Sequence, residues 1–148
     1  MFLVTILFGS GLVLLAIGIH YEVLRLVASY LMPRMEIVSR RAHVMVGVIS
    51  CMAAHTIEIW GFAAAYWLVH YTDLELGFAD EHRRTFVDYL NFSAESYTSL
   101  GFGDAEMLTP GMRLLAGIEA LAGLVLIAWS ASFTYFLMTQ YWGGRTRG

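Results

Sequence analysis

Apolar residues in this chain gather in three long segments that charged residues rarely interrupt. The first runs from Phe2 to about Met32, the second from His43 to about Tyr71, and the third from Met112 to about Trp142. Each has at least the roughly 20 residues that a helix needs to cross a bilayer. The pattern predicts three membrane-spanning helices, and the first is expected to be retained because it lacks the basic start of a signal peptide.

Two prolines, Pro33 and Pro110, lie at the edges of these segments. Proline inside a helix removes a backbone hydrogen bond and clashes with the preceding turn. The predicted boundaries therefore keep both prolines out of the helix interiors.

Arginines outnumber acidic residues in the linker 33–42 and in the tail 143–148. These residues are Arg34, Arg40, Arg41, Arg145 and Arg147 against Glu36. Basic loops stay on the cytoplasmic side of a membrane. With three spans, the N-terminus is then outside and the C-terminus is in the cytoplasm, as in a multi-pass protein of the cell (plasma or bacterial inner) membrane.

A short amphipathic stretch, residues 86–98, lies between the second and third segments and is too short to cross a bilayer. Thr85 followed by Asp88 is typical of a capping box at a helix start. A half-helix followed by a glycine-containing loop indicates a re-entrant segment. Irregular backbone at membrane depth persists only where it lines a watery cavity or is buried in protein.

The loop after this half-helix contains glycine at positions 101 and 103. Glycine adopts the backbone angles that turn consecutive carbonyl groups to one side. Carbonyl groups from several chains around one axis can replace the water shell of a cation. The negative C-terminal end of the half-helix favours a cation at the same place, and Ser99 can add a hydroxyl oxygen.

The segment Thr98–Asp104, Thr-Ser-Leu-Gly-Phe-Gly-Asp, resembles the potassium channel signature, usually written TTVGYGD or TVGFG. The resemblance covers roughly residues 43–142. An extra first span, followed by His-x-x-Glu in the second, is similar to small bacterial channels of the two-helix pore superfamily. The resemblance implies a homotetramer in the lipid bilayer that conducts K⁺ as its transported ion, with no organic cofactor.

The resemblance also implies roles for individual residues. Carbonyls of Ser99, Leu100, Gly101 and Phe102, with the Ser99 hydroxyl, would form the K⁺ sites, and Gly103 completes the filter. Four residues would support the filter from behind: Phe92, Glu95, Thr98 and Asp104. Leu100, Ser99 and Phe102 replace the usual valine, threonine and tyrosine, and Phe92 replaces a tryptophan. The two phenylalanines are mutually consistent because neither leaves a polar partner unpaired.

The predicted fold is an all-α membrane protein with three transmembrane helices, a re-entrant pore helix and a filter loop per subunit. Its parts are an extra N-terminal transmembrane helix (1–32), a cytoplasmic linker (33–42), a pore domain (43–142) and a cytoplasmic tail (143–148). Gly123 in the third span is either a gating hinge, as in family members, or a site of close helix packing.

The predicted spans contain several ionisable residues, among them His20, Glu22, His55, Glu58 and Glu119. Such residues usually face the protein interior. At 1.5 Å per residue, His20 and His55 lie roughly 27 Å and 24 Å below the outer ends of their spans, with Glu22 and Glu58 nearby. Glu119 lies only roughly 12 Å into the third span and is expected to meet the pore helix.

Three interpretations of the His20, His55 and Glu58 group stay open. The first is a hydrogen-bonded tether between the first two spans. The second is a proton-sensitive gate, because histidine titrates near neutral pH. The third is a transition-metal site, since imidazole and carboxylate are suitable ligands.

Other functions are weighed against the potassium channel. One is a non-selective monovalent cation channel, another is an accessory subunit without its own pore, and a third is a membrane haem or metal protein that pairs His20 with His55. An enzyme is not expected, because no nucleophile with a base or phosphate-binding loop is recognisable. The net charge of −3 gives no sign of a nucleic-acid partner.

Overall fold

The computed structural model describes residues 2–35, 39–70, 85–101 and 108–142. Three helical segments are long and apolar enough to cross a membrane: Phe2–Arg34, Arg40–His70 and Pro110–Trp142. The helices are α1 (Phe2–Leu26), α2 (Met32–Arg34), α3 (Arg40–His70), α4 (Phe86–Thr98) and α5 (Pro110–Trp142), with a π-helical turn Val27–Leu31 between α1 and α2. The predicted all-α membrane fold is confirmed.

Pro33 was expected to lie beyond the first helical segment. It lies inside the last turn of that segment, in α2. The wider π-helical turn Val27–Leu31 comes immediately before α2. Proline has no N–H to donate, and the neighbouring Arg34 guanidinium donates to the Tyr30 carbonyl at 3.0 Å. The proline is therefore tolerated because the helix has already changed its winding where the hydrogen-bond ladder is interrupted.

Two helices begin slightly earlier than predicted. Helix α3 starts at Arg40, so residues 40–42 belong to the helix, and the Ala42 amide donates to the Ser39 carbonyl at 2.9 Å. Helix α5 starts at Pro110, a favoured first position because its missing N–H would be unpaired there anyway. The Met112 amide donates to the Thr109 hydroxyl at 3.3 Å, which caps this end.

The three spans form a bundle in which α1 and α5 run parallel and α3 runs antiparallel to both. At one end, the His43 ring stacks on Tyr141 with ring centroids 4.4 Å apart, and Met32 packs with Leu137. At the other end, Gly9 of α1 lies so close to Leu115 that an added Cβ would sit 2.9 Å from its Cδ2 atom.

Helix α4 enters the bundle from the end at which α3 finishes. The Phe86 ring lies 6.1 Å from Trp67 between centroids, whereas the other end of α4 reaches Gly123, near the middle of α5. The Thr85 amide donates to Asp88 at 2.6 Å, and a capping box is present. The predicted half-helix and its bounds are confirmed.

The main hydrophobic core surrounds α4. It includes Phe62, Tyr66, Tyr89, Tyr97, Met112, Leu115 and Leu126, contributed by α3, α4 and α5. Because α4 is packed on both neighbouring spans, its C-terminal end is held at a fixed depth in the bundle.

Candidate functional site

The end of α4 is closed by a Schellman-type pair of hydrogen bonds. The Leu100 amide donates to the Glu95 carbonyl at 3.1 Å, and the Ser99 amide donates to the Ser96 carbonyl at 3.0 Å. Ser99 has the left-handed conformation, with a φ of 57°, that this motif requires and that usually selects glycine. The loop therefore turns sharply as soon as the helix ends.

Gly101 has a φ of 153°, a conformation that side chains disfavour. The expected use of glycine for an unusual backbone is thus observed at position 101, and Ser99 adopts a positive φ that the sequence did not reveal. Phe102, Gly103 and Asp104 lie outside the described residues.

The described loop residues project from the surface of a single chain. Ser99, Leu100 and Gly101 are all exposed, and Leu100 has 83% of its surface accessible. Backbone polar groups left open at membrane depth need either protein or water around them. The surroundings of this loop in the membrane therefore decide whether its backbone polar groups are satisfied.

Three of the predicted supporting residues are in the described part. Phe92 is half-buried, with its ring 5.7 Å from Tyr66. Thr98 donates its hydroxyl to the Ala94 carbonyl at 2.6 Å, within α4. Glu95 is exposed on the single chain. Asp104, the fourth residue expected to support the filter, lies outside the described residues.

Gly123 lies against the last turn of α4. A Cβ atom added there would overlap the Tyr97 carbonyl oxygen and lie 2.9 Å from its carbon. Of the two interpretations of this glycine, the structure shows the close helix contact. Helix α5 continues through this position, and the gating hinge stays a prediction.

Glu119 meets α4, as its depth in the third span suggested. Its carboxyl group accepts a hydrogen bond from the Tyr66 hydroxyl at 2.5 Å and contacts the Ser93 hydroxyl at 2.5 Å. Ser93 also lies 2.9 Å from the Ile59 carbonyl. These three contacts need three hydrogens, and the hydroxyls of Tyr66 and Ser93 supply two. All three contacts are hydrogen bonds when the Glu119 carboxyl is neutral and supplies the third hydrogen.

A second buried polar group lies deeper in the bundle and forms a closed ring. His20 Nδ1 lies 2.9 Å from Glu58 Oε1, and His55 Nδ1 lies 3.3 Å from Glu58 Oε2. On the other side, the Ser130 hydroxyl lies 3.3 Å from His20 Nε2 and 3.0 Å from His55 Nε2. The expected tether between the first two spans is present, and it also includes α5.

The ring is connected to α4 through Tyr97. The Tyr97 hydroxyl donates to Glu58 Oε2 and lies 2.8 Å from His55 Nδ1. Tyr97 and Ser130 were not among the residues predicted from the sequence. Ser130 is two helical turns after Gly123 and lies on the same face of α5. This spacing is the sequence signal that could have placed Ser130 near α4.

Glu22 does not join this group, which corrects the expectation that it lies near Glu58. It is exposed and accepts hydrogen bonds from Arg25 at 3.0 and 3.1 Å. Two residues along an α-helix turn a side chain by about 200°, so Glu22 points away from the bundle when His20 points into it.

His20, His55 and Glu58 offer ligand atoms that all lie within 4.8 Å of one another. The two imidazole rings have centroids 5.2 Å apart and planes tilted by 36°. A haem held between these rings would need space for its macrocycle, but both rings are in contact with Glu58 and Ser130. The packing of the two rings disfavours the haem alternative.

Comparison with protein families adds one finding. A family model described as "Ion channel" matches residues 54–140, a range that contains most of α3, all of α4 and nearly all of α5. His55, Glu58, Tyr97 and Ser130 fall in this range, whereas His20 precedes it. A search of curated proteins found no match, and neither did a search of solved structures.

Proposed function

Since the chain belongs to the two-helix pore-loop ion channel family, we propose that four copies of it form a potassium-selective channel. K⁺ would pass through the carbonyls of Ser99, Leu100, Gly101 and Phe102, with Gly103 completing the filter. The orientation proposed from the basic linker and tail places the N-terminus outside the cell.

The observation that carries the proposal is the position of the α4 terminus. This half-helix ends halfway through the bundle, beside Gly123, and its last carbonyls lead into an exposed loop. A helix C-terminus at this depth favours a cation there. The loop becomes acceptable in a membrane when copies of the chain enclose it around a water-filled path.

A homotetramer follows from the single pore segment in each chain. One loop cannot surround an ion, so several copies must contribute carbonyl groups around one axis. Four is the number that the family resemblance implies. The apolar surface that α5 exposes on a single chain, including Leu121, Leu124 and Val125, is then available for contacts between copies and with lipid.

Selectivity for K⁺ is the finer part of the proposal, because Leu100 and Phe102 depart from the usual signature. These two departures favour one alternative, a pore that passes monovalent cations without discriminating between K⁺ and Na⁺. Phe92 packs on Tyr66 rather than offering a polar group to the filter. Filter rigidity would then depend on packing and on Glu95.

Reconstitution of the purified full chain in liposomes tests both levels. We expect K⁺ currents whose bi-ionic reversal potentials show K⁺ to be more permeant than Na⁺. Equal permeability would favour the non-selective channel, and the absence of any cation current from an intact tetramer would favour the accessory subunit. The number of chains is measured independently by native mass spectrometry.

A matched pair of glycine variants links the current to the loop. Gly101→Ala introduces a side chain at a φ of 153°, so we expect loss of the current. Gly18→Ala changes a glycine of α1 where an added Cβ meets no atom within 4 Å, so we expect a normal current. Equal currents in the two variants would contradict the proposed conduction path.

A further inference from the structure

With Glu58 ionised and both imidazoles neutral, the ring formed by Glu58, His20, Ser130 and His55 is one hydrogen short. Its four contacts each require one hydrogen, whereas two neutral imidazoles and one hydroxyl supply three. When Glu58 is ionised and both Nδ1 atoms donate to it, both Nε2 atoms face a single serine hydroxyl. In this protonation state the ring carries one negative charge and leaves one contact unfilled.

The same group also lacks a fixed positive charge. The side chains of His20 and Glu58 are fully buried, and that of His55 is 12% exposed. Within the described part of the chain, the ion-pair partners of Glu58 are the two histidines, which carry charge only when protonated. A buried carboxylate without a compensating cation is costly, so the composition of the ring fits an additional cation.

We propose that this ring is a binding site for a divalent transition metal ion of the Zn²⁺ class. The ligands are Nδ1 of His20, Nδ1 of His55 and the Glu58 carboxylate, whose donor atoms already converge within 4.8 Å. Two imidazoles and one carboxylate form a set that suits Zn²⁺ and its neighbours in the first transition series.

The surrounding residues suit the metal-bound state. With a metal on both Nδ1 atoms, both Nε2 atoms carry hydrogen, and the Ser130 oxygen has two lone pairs to accept them. Metal-binding histidines usually donate their second N–H to such an oxygen, which fixes the ring orientation. The Tyr97 hydroxyl lies next to two of the three ligands, 2.8 Å from His55 Nδ1 and in hydrogen-bond contact with Glu58.

A metal at this site would join all parts of the bundle. His20 belongs to α1, which precedes the matched family range, while Tyr97 is two residues before Ser99. Binding would therefore couple the extra first span to the end of the pore helix. The site is independent of K⁺ conduction and can be tested without it.

The test is metal binding to the purified full chain in detergent. The protein is stripped with a chelator, equilibrated with Zn²⁺ alone at micromolar free concentration, and its metal content is measured per chain. We expect about one ion per chain in the wild type, a loss of at least tenfold in affinity for His20→Ala and His55→Ala, and no loss for His43→Ala. His43 stacks on Tyr141 at the far end of the bundle and is the matched control.

The visible spectrum of Co²⁺ bound to the wild-type protein tests the site even if a histidine variant fails to fold. Co²⁺ alone, added to the stripped wild type, is expected to give the visible d–d bands of a low-symmetry site. His55→Cys should keep those bands and add a thiolate charge-transfer band. Wild-type protein that retains no Zn²⁺ and shows only aqueous Co²⁺ overturns the proposal, as does equal binding by His55→Ala and His43→Ala.

Discussion

The carbonyl oxygen of Tyr97 packs directly against the backbone of Gly123, where an added Cβ atom would overlap it. This contact joins the last turn of the pore helix to the middle of α5. Tyr97 precedes the loop at Ser99 by two residues. Because position 123 has no side chain, the end of α4 can approach α5 closely, and this approach sets the depth at which the loop begins.

Gly123→Ala tests this packing. Forcing a methyl group against a backbone carbonyl should destabilise the protein by about 1–3 kcal/mol, as overpacking of a core does, and should displace the end of α4. We expect a lower thermal unfolding temperature of the purified protein and a reduced K⁺ current in liposomes.

Gly117→Ala is the control for this prediction, because an added Cβ at that position of α5 meets no atom of the chain within 4 Å. A Gly123→Ala variant as stable as Gly117→Ala would show that α4 can be shifted at no cost. Loss of current with unchanged stability in Gly123→Ala alone would favour the hinge interpretation instead.

Tyr97→Phe removes the hydroxyl that donates to Glu58 and contacts His55. A buried carboxylate that loses a donor costs about 1–3 kcal/mol, so we expect a lower unfolding temperature by circular dichroism. Tyr21→Phe is the matched control, since Tyr21 is half-exposed on α1. Equal unfolding temperatures for the two variants would mean that the Tyr97 hydroxyl does not stabilise the ring.

Glu119 offers a test of the hydrogen count in its own network. Glu119→Gln is neutral and keeps an oxygen for Tyr66 and an N–H for Ser93, so we expect near wild-type stability. Glu119→Leu leaves the Tyr66 and Ser93 hydroxyls without this partner, at a cost of about 1–3 kcal/mol for each buried group. The unfolding temperatures of the two variants, measured side by side, test this prediction. A large drop in the unfolding temperature of Glu119→Gln would mean that the network requires a negative charge.

The sequence was sufficient for the helices because hydropathy and capping are local properties. The capping box at Thr85 and Asp88 correctly predicted the start of α4, and its bounds are those expected. Pro33 was misplaced because a π-helical turn changes the hydrogen-bond pattern without leaving a mark in the apolar content.

The polar networks were only partly predictable. Helix depth placed His20 beside Glu58, but depth alone could not tell that Glu22 lies on the opposite face. Ser130 and Tyr97 were missed since a single hydroxyl on a helix has no pattern until the packing of neighbouring helices is known. The partner of an isolated polar residue depends on crossing positions that a one-dimensional sequence does not contain.

Glu22 and Glu58 were both expected at the same depth, yet only Glu58 belongs to the buried ring. Glu22→Gln breaks an exposed pair with Arg25, and such pairs contribute about 0–1 kcal/mol. Glu58→Gln disrupts contacts with His20, His55 and Tyr97, so we expect a loss of about 1–3 kcal/mol. Chemical denaturation of both variants in detergent provides the comparison. Equal destabilisation by the two substitutions would contradict the placement of Glu22 outside the buried ring.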